Sequence, residues 1–492
     1  MQRQDAPIRD PSAKRYRGIL PAMLSMMTSL PRHESPMQPP PKPHPADDLA
    51  SRSVQAVWHP CTQMKRHETA PPLEIVRGEG VWLVDAQGRR ILDAVSSWWV
   101  NLFGHNQPTI KEAIAAQMDR IEHVMLAGLT HAPVVELSER LRARTGLGHA
   151  HYASDGSSAT EIALKMSAHY WRNAGQPQKN RFIGLAGGYH GETVGALSVT
   201  DIPLFRASYA PLVRLSATVP APDPRFAPAG MDEAAWVAHC AAELERHLQD
   251  HADHTAALIV EPLVQCASGF AFHPPAYLAQ VRALCTRYGV HLVADEIAVG
   301  MGRTGTLLAC EHAGVQPDFL CLSKGLTGGY LPLSVVLTTD AVYQAFYDDD
   351  VARGFLHSHS YTGNPLACSA ALATLDLLDD AQLAANRELG ARLDALFAPL
   401  HAHPRLRHGR RLGTIWAWDV ADAPADFSRR FAAEALARGA LLRPIGSTLY
   451  FMPPYVIDTA AAARLRDAVL DALHAVLGAA ASSTPATQPA LP

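Results

Sequence analysis

The middle of the chain alternates short apolar runs with stretches in which apolar side chains recur every three or four residues. Residues 257–260 are uniformly apolar and predict a buried strand. After Pro274 and Pro275 the apolar positions recur at helical spacing until Gly289, and residues 291–294 predict the next strand. This alternation is typical of an α/β protein built around a mixed, mostly parallel sheet.

Two of the predicted strands end in residues that can carry chemistry. Residues 291–294 run into Asp295, and the strand predicted at residues 318–323 runs into Lys324. Because the carboxyl ends of strands in an open α/β sheet face the ligand crevice, both side chains are expected at one site. Taken singly, such an Asp is usually a cap and such a Lys a surface residue. Taken together, they predict a desolvated lysine nucleophile beside a fixed carboxylate.

A lysine paired with a fixed carboxylate suits pyridoxal phosphate chemistry. The amine bonds covalently to the cofactor, and the carboxylate keeps the pyridine nitrogen protonated so that the ring withdraws electrons. Residues 154–161 offer a phosphate cradle, because Ser158 and Glu161 fit a capping box at the start of a predicted helix. Gly156 and Ser157 are the expected phosphate contacts, although this stretch alone indicates no more than an ordinary capped helix.

A third stretch, residues 187–191, places Tyr189 between glycines. This arrangement suits an aromatic ring that stacks on a flat cofactor, but by itself it indicates only a turn. A regulatory protein built on a degenerate enzyme should have lost the lysine, the acid or the cradle. All three are present, which favours an enzyme.

Composition and charge fit an enzyme that acts on small molecules. The 492 residues, 48% of them apolar, suffice for more than one domain, and 43 basic residues stand against 47 acidic ones. That balance leaves no electrostatic footprint for nucleic acid or an acidic membrane surface, and no apolar stretch reaches the roughly 18 residues of a membrane span. We therefore expect small-molecule partners, no nucleic acid and no membrane.

The seven cysteines and 24 histidines follow no metal or disulfide pattern. The cysteines are odd in number, scattered and never spaced as C-x-x-C, and no H-E-x-x-H motif occurs. We expect reduced and mostly buried thiols in a cytoplasmic protein that binds no metal.

Both ends of the chain differ from its middle. Residues 1–48 hold a proline-rich run and scattered basic residues, and residues 478–492 are rich in Ala, Ser, Thr and Pro. Neither composition buries enough apolar surface to offset chain entropy, so both predict disordered tails. Two alternatives for the first tail are an organellar transit peptide and a true start at a later methionine such as Met37.

From about residue 50 to residue 475 the chain resembles the class III, fold type I, pyridoxal-phosphate-dependent aminotransferases. Within that family it resembles the biotin-synthesis branch, whose members transfer an amino group from S-adenosylmethionine to 8-amino-7-oxononanoate. The Trp-His-Pro opening and the tryptophan pair narrow the resemblance to this branch. The motifs that carry it are residues 58–60, 96–99, 155–157, 188–191, 294–297, 302–305, 323–329, 363–368 and 443–444.

The resemblance implies a role for each matching residue, with Lys324 and Asp295 as the catalytic pair. It also implies a homodimer whose active site is shared across the interface, and Arg443 as the group that holds a substrate carboxylate. The residues implied to bind pyridoxal 5′-phosphate are Gly156, Ser157, Tyr189, Asp295, Lys324 and, from the neighbouring subunit, His359 and Ser360. The residues implied to bind substrate are Cys61, Trp98, Tyr189, Lys324, Ser358, Arg443 and Tyr450.

The resemblance further implies two interleaved domains, and the chain departs from the family at two places. A large domain is expected at residues 100–375, and a small α+β domain is expected from residues 50–99 and 376–477. Cys61 stands where better-known members have a tyrosine associated with recognition of the amino donor, and residues 358–361 replace the usual Gly-Pro-Thr-Phe. Lysine as the donor, or a broad ω-amino-acid:pyruvate transaminase, therefore stay open as alternatives to S-adenosylmethionine.

Overall fold

The computed structural model describes residues 49–478, so the tail predicted at residues 1–48 and nearly all of the one predicted at residues 478–492 lie outside the described residues. The helices are α1 (Leu49–Ala56), α2 (Pro108–Met118), α3 (Ala132–Thr145), α4 (Gly156–Asn173), α5 (Val194–Val199), α6 (Pro203–Arg206), α7 (Glu233–His251), α8 (Pro275–Arg287), α9 (Asp340–Gln344), α10 (Pro365–Leu377), α11 (Asp380–Leu396), α12 (Ala398–His401), α13 (Phe427–Ala437) and α14 (Thr459–Leu477).

The strands belong to four sheets. They are β1 (Ile75–Glu79), β2 (Trp82–Asp85), β3 (Arg90–Asp93), β4 (His149–Ala153), β5 (Arg181–Leu185), β6 (Ala217–Val219), β7 (Thr255–Val260), β8 (Val264–Gln265), β9 (Ala271–Phe272), β10 (His291–Asp295), β11 (Phe319–Leu322), β12 (Ser334–Thr338), β13 (Leu406–Leu412), β14 (Ile415–Val420), β15 (Ala440–Leu441) and β16 (Thr448–Phe451). The strands expected at residues 257–260, 291–294 and 318–323, and the helix expected after Pro274, are confirmed.

The largest sheet has seven strands in the order β4-β12-β11-β10-β7-β5-β6. Strands β11, β10, β7, β5 and β6 are parallel to one another, and β12 runs antiparallel to both β11 and β4. The sheet is therefore mixed and mostly parallel, as predicted. Every residue of β7, β10 and β11 is buried, which explains why these strands are visible in the sequence as continuous apolar runs.

Strands β10 and β11 end side by side. In their parallel register Asp295 pairs with Cys321, and three residues later Lys324 opens a 3₁₀ turn that runs to Thr327. The two residues singled out from the sequence are thus brought to the same edge of the sheet by adjacent strands. Helix α4, which follows β4 at the other side of β12, begins at this edge as well.

One of the smaller sheets joins an early part of the chain to a late part. Strand β15 pairs in parallel with β3 in the sheet β1-β2-β3-β15, and β13, β14 and β16 form a separate antiparallel sheet. A second hydrophobic core, distinct from the one around the seven-stranded sheet, includes Leu92, Trp416, Trp418, Phe451 and Leu473. The domain boundaries inferred from the resemblance stay a prediction.

The chain divides into two compact units after Glu74. In the first, the described residues form α1 and a 3₁₀ turn at Met64–Glu68, and the hydroxyl of Ser53 lies 3.1 Å from Nε2 of His59. All elements from β1 onward belong to the second unit. None of the seven cysteines forms a disulfide; six of them are buried and Cys61 is exposed.

Residues 49–478 contain neither a membrane-spanning helix nor a metal-binding cluster. Within that range, no helix is both long enough and apolar enough to cross a membrane. In the same part of the chain, no cluster of three or more His, Cys, Asp or Glu side chains is arranged to hold a metal ion.

Candidate active site

A cavity of about 630 Å³ opens at the edge of the large sheet where β10 and β11 end. Five of the residues predicted from the sequence line it, together with Trp99, His190 and Glu261. The predicted residues in the lining are Gly156, Ser157, Tyr189, Asp295 and Lys324. Asp295 and Lys324, which follow adjacent strands, therefore line the same cavity.

Lys324 lies in this cavity with its backbone in the left-handed region, at φ 44°. Its Nζ is 5.3 Å from the centre of the Trp99 ring. Burial lowers the pKa of the Lys324 ammonium, while the nearby acidic groups of Asp295, Cys266 and Glu261 act in the opposite direction. A lowered pKa increases the fraction of free amine, which is the form that can act as a nucleophile or a base.

Asp295 is 4% exposed and is held by His190. The Nδ1 of His190 donates to Oδ2 of Asp295 over 2.8 Å, and Oδ1 accepts from the backbone N–H of Ile297 over 3.1 Å. His190 is itself fixed, because its backbone N–H donates to the hydroxyl of Thr200 and its carbonyl accepts from Thr160. The carboxylate therefore enters the cavity in one orientation, with a hydrogen-bonding partner behind it.

The start of α4 forms the other wall, and here the sequence-based cap was wrong. The N-cap is Asp155 rather than Ser158: its Oδ1 accepts from the backbone N–H of Ser158 over 2.9 Å, and the helix begins at Gly156. Glu161 makes no capping bond of this kind but accepts from the N–H of Gly195 over 2.8 Å. Aspartate caps as well as serine does, and the earlier cap brings Gly156 and Ser157 into the first helical turn.

This first turn is shaped to hold an anion. The Oγ of Ser157 accepts from the backbone N–H groups of Glu192 and Thr193, over 3.0 and 3.1 Å, so a loop is tied to the helix start. A Cβ on Gly191 would lie 2.0 Å from Oγ of Ser157, and one on Gly156 would lie 3.0 Å from Ile297. Glycine leaves room at both positions, and the first N–H groups of the helix, which have no acceptor within it, fit a phosphate group.

The side chain of Glu261 is bound to the backbone of Tyr189. The N–H of Tyr189 donates to Oε1 of Glu261 over 2.9 Å, and its phenol donates to Oε1 of Glu192 over 2.9 Å. Burial raises the pKa of Glu261 to about 7; the neighbouring Asp295 also raises it, whereas His190 lowers it. Sequence analysis missed Glu261, although it directly follows the strand predicted at residues 257–260 and so obeys the same strand-end rule as Asp295.

Of the tryptophan pair, Trp99 lines the cavity, whereas Trp98 and its neighbour Arg443 do not occur among the described lining residues. The guanidinium of Arg443 lies 4.6 Å from the centre of the Trp98 ring, and Trp98 is 43% exposed. Trp99 is buried, and its Nε1 donates to the hydroxyl of Tyr450 over 3.3 Å. Tyr450 does not occur among the described residues that line the cavity; it supports Trp99 from behind.

Ser358, His359 and Ser360 lie apart from their own chain's cavity, since none of them occurs among its described lining residues. Nε2 of His359 is 3.2 Å from Nε2 of His357, whose Nδ1 accepts from Nζ of Lys165 over 2.7 Å. Cys61 is an exposed thiol of the first unit.

The donor set fits pyridoxal phosphate. A cradle of backbone N–H groups suits the phosphate, Asp295 suits a protonated ring nitrogen, and Lys324 has the lowered pKa that covalent attachment requires. Nε2 of His190 is buried at the cavity without a hydrogen-bond partner. A polar atom beside Asp295 is therefore available to hydrogen-bond a ligand.

Comparison with known proteins agrees with this site. Residues 63–476 match the family described as aminotransferase class-III. The adenosylmethionine-8-amino-7-oxononanoate aminotransferase of Helicobacter pylori is 40% identical over 84% of this chain and 94% of its own length. The crystal structure of the enzyme of that name from Methanocaldococcus jannaschii is 33% identical, with a TM-score of 0.81 over 87% of this chain and 99% of the other.

An amine transaminase from an uncultivated Pseudomonas species, solved with pyridoxal phosphate bound, is equally similar in structure. It is 33% identical, with a TM-score of 0.81 over 86% of this chain and 99% of the other. The match to the family profile covers most of the chain, and both solved structures share its fold. The chain therefore belongs to the class III aminotransferases and is a pyridoxal-phosphate-dependent enzyme of that family.

Proposed function

We propose that this enzyme transfers the amino group of S-adenosylmethionine to 8-amino-7-oxononanoate and forms 7,8-diaminononanoate, a step of biotin biosynthesis in the cytoplasm. The observation that carries the chemistry is the cavity in which Lys324, the Asp295–His190 pair and the α4 cradle meet. The choice of substrates is supported by two relatives at 40% identity that are named adenosylmethionine-8-amino-7-oxononanoate aminotransferase.

Each residue of the cavity has its own role in amino transfer. Pyridoxal phosphate, when bound, supplies a conjugated ring that accepts the electron pair left when a proton leaves the substrate carbon. Lys324 holds the cofactor at rest and, once released, moves a proton at its Nζ between substrate and cofactor. Its lowered pKa keeps part of the population as the free amine that this transfer needs.

The other groups bind and orient. Asp295 keeps the proton on the ring nitrogen, and the Nδ1–H of His190 keeps that carboxylate in position. Gly156 and Ser157 bind the phosphate at the start of α4, and Tyr189 stacks on the ring. Arg443 holds the substrate carboxylate, and Trp98 beside it offers an apolar wall to the long chain of 8-amino-7-oxononanoate.

We further propose a homodimer in which Ser358, His359 and Ser360 complete the site of the other subunit. Three large exposed side chains flank this segment: Tyr347, Leu356 and Tyr361 are 73, 75 and 65% exposed in the single chain. Exposed tyrosines are typical of residues that become buried between subunits. The hydroxyl of Ser360 is then available to the phosphate of the partner's cofactor.

Mixed dimers test this arrangement. Ser360→Glu places a negative charge against the phosphate, and Lys324→Ala removes the amine, so each pure variant is expected to be inactive. If the site is shared, a hybrid of the two variants has one complete site per dimer, and activity returns when the subunits are mixed under exchange conditions. A mixture no more active than its parents would contradict a shared site.

The substrate assignment is tested by following each half of the reaction separately. The holoenzyme is mixed with S-adenosylmethionine, lysine or β-alanine, and the loss of the cofactor's visible absorbance is measured in a single turnover. We expect S-adenosylmethionine to react fastest, and 8-amino-7-oxononanoate to restore the absorbance. Lysine reacting fastest would identify the other donor, which Cys61 leaves open. Reaction with β-alanine, reversed only by pyruvate, would identify an ω-amino-acid transaminase.

A further inference from the structure

The segment that carries the tryptophan pair is a left-handed turn. Ser96, Ser97, Trp98 and Trp99 have φ angles of 51, 47, 73 and 72°. Residues with a side chain avoid this region, so four in succession persist only where the surroundings hold them there. Two buried charged residues, Asp93 and Arg303, bind this turn near its beginning and at its end.

Asp93 binds the beginning of the turn. Its Oδ1 accepts from the backbone N–H of Ser97 over 2.9 Å, and its Oδ2 accepts from the Ser97 hydroxyl over 2.7 Å and from Nε2 of His105 over 3.0 Å. The amide of Asn101 donates to Nδ1 of His105 over 3.1 Å, which keeps the proton on Nε2. Burial raises the pKa of Asp93, but the hydrogen bonds from His105 and Ser97 outweigh it and lower the pKa.

Arg303 binds the end of the turn. Its guanidinium donates to the carbonyls of Trp99 and Asn101, over 3.4 and 3.0 Å, and to the carbonyl of Pro453 over 2.7 Å. The hydroxyl of Ser96 donates to the carbonyl of Met452 over 2.7 Å. The turn is thus tied to the segment that follows β16 as well as to Asp93.

The handedness of the turn decides where the two indoles go. In the observed turn Trp98 lies against the guanidinium of Arg443, and Trp99 lies against Nζ of Lys324. Returning the backbone to the right-handed region would reorient both side chains. We propose that Asp93 and Arg303 are positioning residues that keep the turn left-handed and thereby set substrate affinity through Trp98 and Arg443, an inference that rests on the proposed function for its substrates.

The first test is Asp93→Asn, compared with Asp85→Asn. The amide places an NH₂ group where Oδ2 accepted from His105, so a donor faces a donor. Asp85 is an equally buried carboxylate of the same sheet, which accepts from the backbone N–H groups of Gln87 and Arg89 and from the Arg89 side chain. We expect Asp93→Asn to raise KM for 8-amino-7-oxononanoate about tenfold with kcat changed less than about threefold, and Asp85→Asn to lower Tm alone.

The second test is rescue by glycine. Ser97→Gly, added to Asp93→Asn, supplies a residue that adopts positive φ without strain and should recover most of the lost affinity. A general loss of stability would instead be made worse by the added glycine. Where Asp93→Asn does not fold, Ser97→Ala removes one of the two bonds to Asp93, and we expect it to raise KM in the same direction by a smaller factor.

The apoprotein provides a readout that is independent of turnover. Near-ultraviolet circular dichroism reports the surroundings of tryptophan, and the difference spectrum of Asp93→Asn should resemble that of Trp98→Phe and reverse on adding Ser97→Gly. If the substrates prove wrong, this spectrum still decides the inference. An unchanged tryptophan spectrum, KM values for Asp93→Asn equal to those for Asp85→Asn, or a failure of glycine to rescue would each overturn it.

Discussion

Lys324→Ala is expected to lower kcat for amino transfer by about ten-thousandfold or more, because it removes both the covalent tether of the cofactor and the base that moves the proton. The phosphate cradle and Asp295 remain, so the variant should still bind pyridoxal phosphate, although with an altered visible absorbance. Steady-state rates and the absorbance spectrum of the variant test both parts. A small amine added to the buffer should restore part of the rate, since it can accept the proton in place of Nζ.

Lys179 supplies the matched control for this experiment. It is also a lysine whose pKa burial lowers, but it donates to the carbonyls of Ala252 and Gly289 away from the cavity. Lys179→Met is expected to lower Tm while leaving kcat within about twofold of the wild type. If Lys324→Ala kept a rate comparable with that of Lys179→Met, Lys324 would not be the catalytic amine.

Asp295→Asn is expected to lower kcat by about a hundredfold to a thousandfold, because the neutral amide cannot hold the ring nitrogen protonated and the ring then withdraws electrons poorly. His190→Asn leaves the carboxylate in place but removes its fixed partner, so a smaller loss of about tenfold is expected. Single-turnover rates of proton removal, measured with donor deuterated at the reacting carbon, separate this effect from changes in binding.

Glu296 is the neighbouring carboxyl and serves as the comparison. It accepts from the backbone N–H groups of Ala309 and Cys310, and burial raises its pKa to about 7. Glu296→Gln should therefore affect stability and leave the isotope effect on proton removal unchanged. Equal rates for Asp295→Asn and the wild type would remove Asp295 from the mechanism.

The sequence was most informative where structure and chemistry share one local pattern. Strands buried on both faces must be apolar throughout, so β7, β10 and β11 were recognisable, and parallel neighbours must end at one edge. That rule was sufficient to bring Asp295 and Lys324 together. It also applied to Glu261, which sequence analysis passed over because a glutamate before a proline looks like an ordinary strand end.

Features that depend on contacts between residues distant in the sequence could not be predicted from it. Nothing in the local sequence of residues 96–99 favours left-handed backbone, since serine and tryptophan both avoid it. The turn exists because Asp93 and Arg303 bind it, and Arg303 lies about two hundred residues away. The pairing of His190 with Asp295 spans 105 residues in the same way.

The cap of α4 failed for a different reason. Asp155, Ser157 and Ser158 are all good N-cap residues, so propensity alone does not choose among them. In the structure Asp155 accepts from the N–H of Ser158, and Glu161 accepts from the N–H of Gly195 and does not close a capping box. The prediction that Gly156 and Ser157 contact the phosphate does not depend on which residue caps the helix, because both residues lie in its first turn.

Transfer of isotope from donor to product tests the central claim most directly. The enzyme is given S-adenosylmethionine labelled with ¹⁵N at its α-amino group together with unlabelled 8-amino-7-oxononanoate, and the product is analysed by mass spectrometry. The wild type should place the label in 7,8-diaminononanoate, and Lys324→Ala should not. A wild-type product without label, or labelled product formed by Lys324→Ala at the wild-type rate, would contradict amino transfer through this site.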